Sequence, residues 1–212
     1  MSRRLTSKVL VVASHNPGKA REVADLFLPL GFVVRTAAEL DLPEPDEDAE
    51  TFEGNAAIKA LAAARLSGEH AVADDSGLVV TALGGDPGVY SRRWTRGEGY
   101  DAAMSRVHDA LADRSPTAQM VCALALAWPD GHVEMFEGRV NGTLVWPPRG
   151  ELGFGYEPMF RPEGSSRTYG EMPRPDKHAD DPRARAFAAL REACLNPRSQ
   201  TRTPRPPRRP EE

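Results

Sequence analysis

Three short stretches of the chain gather residue types that could carry chemistry. Ser14-His15-Asn16-Pro17-Gly18-Lys19 stands between an apolar run and a helix-like pattern. At such a junction unpaired backbone N–H groups and the helix dipole favour an anion. Lys19 adds a positive charge and Asn16 a side-chain donor. It is not a Walker A loop, because Gly18-Lys19 is followed by Ala20 rather than Ser or Thr. An ordinary strand-to-helix turn shaped by Pro17 and Gly18 would account for the same residues. The second stretch, Asp74-Asp75-Ser76-Gly77, follows the apolar triplet Ala71-Val72-Ala73. Adjacent carboxylates at a strand end point in different directions, which suits one for a divalent cation and one for structure. Mg²⁺ takes one or two carboxylates together with substrate phosphates; an Asx turn is the alternative use of the same aspartates. The third stretch, Gly153-Phe154-Gly155-Tyr156-Glu157-Pro158, pairs two glycines with two aromatic rings. It could lay a ring and backbone against a planar ligand, or simply turn. The acidic run Asp46-Glu47-Asp48 could supply a further carboxylate, or be a solvated face.

These residues need elements to hold them. Residues 8–13 read as a first strand, and Val23, Leu26, Phe27 and Leu30 recur at the spacing of one buried helix face, stopped by Gly31. Phe32 to Arg35 reads as a second strand, and 38–50 as an acidic, proline-bearing loop. Thr51 is placed to cap an alanine-rich helix that runs to Gly68. Residues 71–73 read as a brief strand ending at the aspartates. Tyr100 to Ala112 is helix-like, with Met104, Val107 and Leu111 on one side. Two strand-like runs, 117–127 and 132–144, flank Trp128-Pro129-Asp130-Gly131, a strong hairpin turn. Met159-Phe160 reads as a short strand and 182–195 as the last helix. The hairpin makes the sheet mixed rather than purely parallel. The expected domain is residues 1–195, a single α/β unit.

Composition excludes several classes. The chain has 212 residues, 40% hydrophobic and 27% charged, enough for a real core. No apolar run approaches the roughly 18 residues of a membrane helix, and the first apolar stretch is too short for a signal peptide. We therefore expect a soluble, cytoplasmic protein. Cys122 and Cys194 cannot build a disulfide framework, and the five histidines show no metal-binding spacing. The net charge of −4 conceals a split: residues 196–212 hold five arginines against two glutamates, with five prolines and no large apolar residue. That segment is expected to be a disordered tail. Without interleaved aromatics it carries no specific nucleic-acid signal. The acidic remainder would need a divalent cation to bind a polyanion.

Five motifs occur in order: Ser14 to Lys19, Thr-Phe-Glu-Gly-Asn-Ala (51–56), Ala-Asp-Asp-Ser-Gly-Leu (73–78), Leu-Gly-Gly-Asp-Pro-Gly-Val-Tyr-Ser (83–91) and Gly-Phe-Gly-Tyr-Glu-Pro-Met-Phe (153–160). Together they resemble the RdgB/HAM1 family of house-cleaning inosine triphosphate pyrophosphatases, across about residues 8–191. The resemblance implies hydrolysis of dITP, ITP and XTP to the monophosphate and pyrophosphate with Mg²⁺. It also implies an elongated two-lobed α/β fold with a long mixed sheet and a central nucleotide cleft, and a homodimer. By the same resemblance, Ser14, His15, Asn16, Pro17, Gly18 and Lys19 hold the triphosphate. Asp75 is the catalytic proton acceptor and, with Glu47, a metal ligand. Asn55, Lys59 and Ser76 are further substrate contacts, while Phe154, Gly155, Tyr156, Glu157, Lys177 and Arg183 grip base and sugar.

Two positions depart from the family pattern. Asp181-Pro182 stands where the family has Ser-His, and Glu157 where it has Asp. Both fall on base recognition. Pro182 suits a first helical position after an Asp181 cap, and His178 is a possible replacement donor.

Overall fold

The computed structural model describes residues 2–195; the expected tail lies outside the described residues. Its centre is a six-stranded sheet in the order β2-β1-β3-β4-β5-β6, formed by β1 (Val9–Val12), β2 (Val33–Thr36), β3 (Ala71–Val80), β4 (Thr117–Ala127), β5 (Val133–Leu144) and β6 (Phe160–Pro162). β1 pairs in parallel with β2 and β3, and the remaining pairs are antiparallel. The mixed sheet is the one the hairpin required. Its turn closes with the Gly131 N–H on the Trp128 carbonyl at 3.0 Å.

Alternation along the strands sorts the core. Leu10, Val12 and Val72 join a cluster with Val23 and Phe27 of α1 (Pro17–Phe27) and with Phe187 and Leu190 of α5 (Pro182–Leu190). Val11, Ala13, Ala71 and Ala73 face the other way, onto α2 (Phe52–Ser67). Four of the six alanines of α2 (56, 60, 63 and 64) are buried, and their small side chains let the helix lie close to the sheet. A third cluster, built from Leu78, Val80, Val140 and Phe160 with α3 (Tyr100–Leu111), occupies the far end of the same strands. β3, β4 and β5 therefore run through two lobes.

β3 is where the sequence reading needs correction. It is not a three-residue strand ending at the aspartates but a continuous ten-residue strand. Its central residues are paired to β4, with Asp74 opposite Leu124, Asp75 opposite Ala123 and Gly77 opposite Val121. This register leaves no Asx turn. The apolar pattern hid the strand because its middle lies at the junction of the two lobes, where polar side chains face a cavity instead of a core. Gly77 answers a packing demand there: a Cβ would stand 2.4 Å from Ser91 Oγ and 2.7 Å from the Gly88 carbonyl. Gly77→Ala is expected to cost roughly 1–3 kcal/mol, read as a lower midpoint in urea with an unchanged slope.

Two further differences are local. A short helix α4 (Arg174–His178) precedes α5, and the last turn, Arg191–Leu195, has π geometry. Asp181 does cap α5, its carboxylate accepting the Ala184 N–H at 2.8 Å.

Candidate active site

β1 stops pairing with β3 at Val72, where the Ala13 N–H meets the Val72 carbonyl at 2.8 Å. Further on, the Leu78 N–H donates to Ser91 Oγ at 3.0 Å and the Val80 N–H to the Asp86 carbonyl at 3.2 Å. Between these points no described strand covers that edge of β3. A cavity of about 880 Å³ opens there, lined by the 14–17 loop, the 42–47 segment, α2, the middle of β3 and the 154–157 loop. Its size suits a nucleotide-sized ligand.

The two aspartates serve opposite faces of the sheet. Asp75 faces α2, where Asn55 and Lys59, one helical turn apart, both meet it. Asn55 Nδ2 donates to Asp75 Oδ2 at 3.4 Å, and Lys59 Nζ lies 3.5 Å from Oδ1. The same ammonium lies 3.1 Å from Glu47, so Lys59 bridges two carboxylates. Burial pushes the Asp75 carboxyl up from its ordinary value, against the pull of Lys59 and Lys19. Glu47 and Asp74 repel its charge and push the same way.

Asp74 faces α1 and α5. Arg183 donates to its Oδ2 at 3.0 Å, and Lys19 Nζ is 3.4 Å away. Burial alone would raise this carboxyl, but Lys19 and Arg183 outweigh it and hold the group far below the carboxylate range. Its Oδ1 is buried without a partner, as is Arg183 Nε. Arg183 also pairs with Glu22. Lys177 Nζ is 3.3 Å from Glu22 and donates to Glu157 at 2.8 Å. Despite its burial, Glu22 is brought down to about 2 by the His178, Arg183 and Lys177 donors around it.

The phosphate-loop candidates line the cavity except Gly18. Asn16 differs from the expectation: its Oδ1 caps α1, accepting from the Gly18 and Lys19 N–H groups at 2.9 and 3.2 Å. Those N–H groups are thus already satisfied, and Lys19 is the positive charge the loop offers. His15 Nε2 meets the Leu42 carbonyl at 2.8 Å. Ser76 reaches Asp74 at 3.4 Å.

Phe154 and Gly155 are half-buried and line the same cavity. Tyr156 is buried, its hydroxyl on the Ser91 carbonyl at 2.9 Å. Glu157 cinches the loop by accepting the Phe154 N–H at 3.0 Å. The longer acid fits because residue 153 is glycine: a Cβ there would sit 1.7 Å from Glu157 Oε2. Lys177 and His178 do not line the cavity; both turn to Glu22, with His178 Nε2 at 3.5 Å. Sequence reading missed Glu22, although it lies one helical turn beyond Lys19. It also gave no role to Ser91, although that residue closes the 83–91 motif.

The comparisons agree with this architecture. A dITP/XTP pyrophosphatase of Rhizobium meliloti is 52% identical, spanning 91% of this chain and 99% of its own. One from Rhodospirillum centenum is 55% identical, over 91% and 98%. Among solved structures, a HAM1 protein from Coxiella burnetii superposes with a TM-score of 0.79 at 34% identity, covering 86% of this chain and 95% of that one. A nucleoside-triphosphatase (dITP/XTP pyrophosphatase) from Mycobacterium abscessus gives 0.69 at 39%, over 86% and 98%. The pattern of the Ham1 family matches residues 10–193, which include every site residue described above, and the chain belongs to that family.

Proposed function

We propose that the chain hydrolyses deaminated purine nucleoside triphosphates of the dITP, ITP and XTP class to the monophosphate and pyrophosphate. The carrying observation is a single cavity lined by Lys19, Lys59 and Asp75 together with the half-buried Phe154. The ammonium groups bind and neutralise the polyphosphate, and the ring stacks on the base. Asp75, its carboxyl raised by burial, is placed to accept a proton from the attacking water. Asn55 and Lys59 fix its orientation.

Mg²⁺ would be held by Asp75 and Glu47. Among the described residues no group of three acidic, histidine or cysteine side chains gathers for a metal. Two carboxylates meeting at Lys59 suit a hard cation that completes its shell with water and phosphate oxygens. When bound, the ion supplies charge neutralisation on the transferring phosphoryl group. The family resemblance supports a homodimer, and light scattering checks it. No described helix is long and apolar enough to cross a membrane, in keeping with action on a soluble pool.

The test is pyrophosphate release with Mg²⁺ from ITP, dITP, XTP, GTP, dGTP and ATP. The first three are expected to turn over at least tenfold faster in kcat/KM, by roughly the 1.4 kcal/mol of one hydrogen bond to a base edge. Equal rates on GTP and ATP would refute the assignment of base class.

A further inference from the structure

Resting on the reading of Glu47 as a cation-holding residue, we infer that Arg93 is the positioning residue that makes it one. Residues 43–50 form an acidic extended segment without regular secondary structure. No described backbone-to-backbone hydrogen bond ties it; the nearest flanking ones are those of Leu42 and Asn55. Side chains hold it instead. The Ala49 N–H donates to Asn55 Oδ1 at 3.0 Å, and Lys59 meets the Glu47 carboxylate at 3.1 Å. The other two tethers cross the mouth of the cavity from one loop: Arg93 Nη2 donates to the Glu47 carbonyl at 2.8 Å, and Arg92 lies 3.6 Å from Glu44.

Arg93 is well placed to act as a strut. Its guanidinium sits over the Tyr90 ring at 5.0 Å. The turn it leaves is anchored at Ser91, whose Oγ accepts from Leu78 N–H of β3 and donates to the Gly88 carbonyl at 2.7 Å. Position is thus passed from β3 through Ser91 and Arg93 to the main chain of Glu47, which lines the same cavity. Without Arg93 the glutamate keeps only its attraction to Lys59, which a cation must displace.

The sign of the effect separates positioning from charge. Deleting a positive side chain near a cation tightens binding if charge alone matters; losing a strut weakens it. Mn²⁺ titrated alone into the full chain and followed by electron paramagnetic resonance reads this directly. Arg93→Ala is expected to weaken Mn²⁺ binding roughly tenfold, as outer partners of metal ligands do. Arg93→Lys should retain most of the affinity. Arg96→Gln, which removes the same charge from the same loop, should leave it unchanged or tighter. Thermal unfolding should barely move, since Arg93 is exposed. Glu47→Gln separates the two claims. If it weakens binding while Arg93→Ala does not, the positioning role is wrong and the Glu47 assignment stands. If Glu47→Gln has no effect, or wild-type protein leaves Mn²⁺ free, both fall.

Discussion

Asp75→Asn is expected to abolish pyrophosphate release, by roughly 10³-fold or more, without weakening the fold. Losing a placed proton acceptor costs about 10²–10⁴-fold by itself, and one of the two carboxylates proposed to hold the cation goes with it. The fold should tolerate the change because burial has raised the Asp75 carboxyl. A raised carboxyl favours the protonated form in the folded state, so stability is lost as pH rises through the folded value. Asparagine, neutral at every pH, removes that loss while keeping the shape that meets Asn55. The variant should therefore unfold at the same temperature as wild type or higher at neutral pH, with the difference closing in acid. Pyrophosphate release retained in the Asp75→Asn variant would remove Asp75 from the role.

Arg183→Met is expected to produce the largest loss of stability. Its guanidinium is the shared partner of Asp74 and Glu22, and all three groups are buried. Removing one member of a buried ionic set leaves charges uncompensated, at a cost of about 3–5 kcal/mol, or a fall in Tm of roughly 10 °C for a chain of this size. Both carboxylates are depressed, Glu22 to about 2. They therefore contribute stability above their unfolded values that is lost as pH falls through the folded ones. The gap between wild type and variant should be widest near neutrality and narrow in acid. A gap independent of pH would show that Arg183 matters through packing alone.

Much of the site was legible in the sequence because its residues come as short ordered motifs. Helix starts followed local chemistry at Thr51 and Asp181, whose caps both form, whereas Asn16, expected as a donor to the ligand, caps α1 instead. What stayed hidden depends on distant contacts. The continuation of β3 through Asp74 and Asp75 has no apolar signature, since its middle faces a cavity. The exit of Lys177 and His178 from the cavity is decided by Glu22, about 155 positions away in sequence. Arg183, expected at the base, lines the cavity but is held there by two acids that come from α1 and β3. No window of sequence contains all three.

The continuity of β3 also sets what change this gene can survive. With ten residues locked to β4, even and odd positions are assigned to different machinery. One codon inserted between Ala71 and Ala73 would turn Asp75 to the face of Arg183 and Asp74 to that of Lys59, with the composition of the site untouched. Length variation should accumulate in the loops after Val80 and be purged from this strand. For this protein, a library of insertions would map the active site more sharply than a library of substitutions.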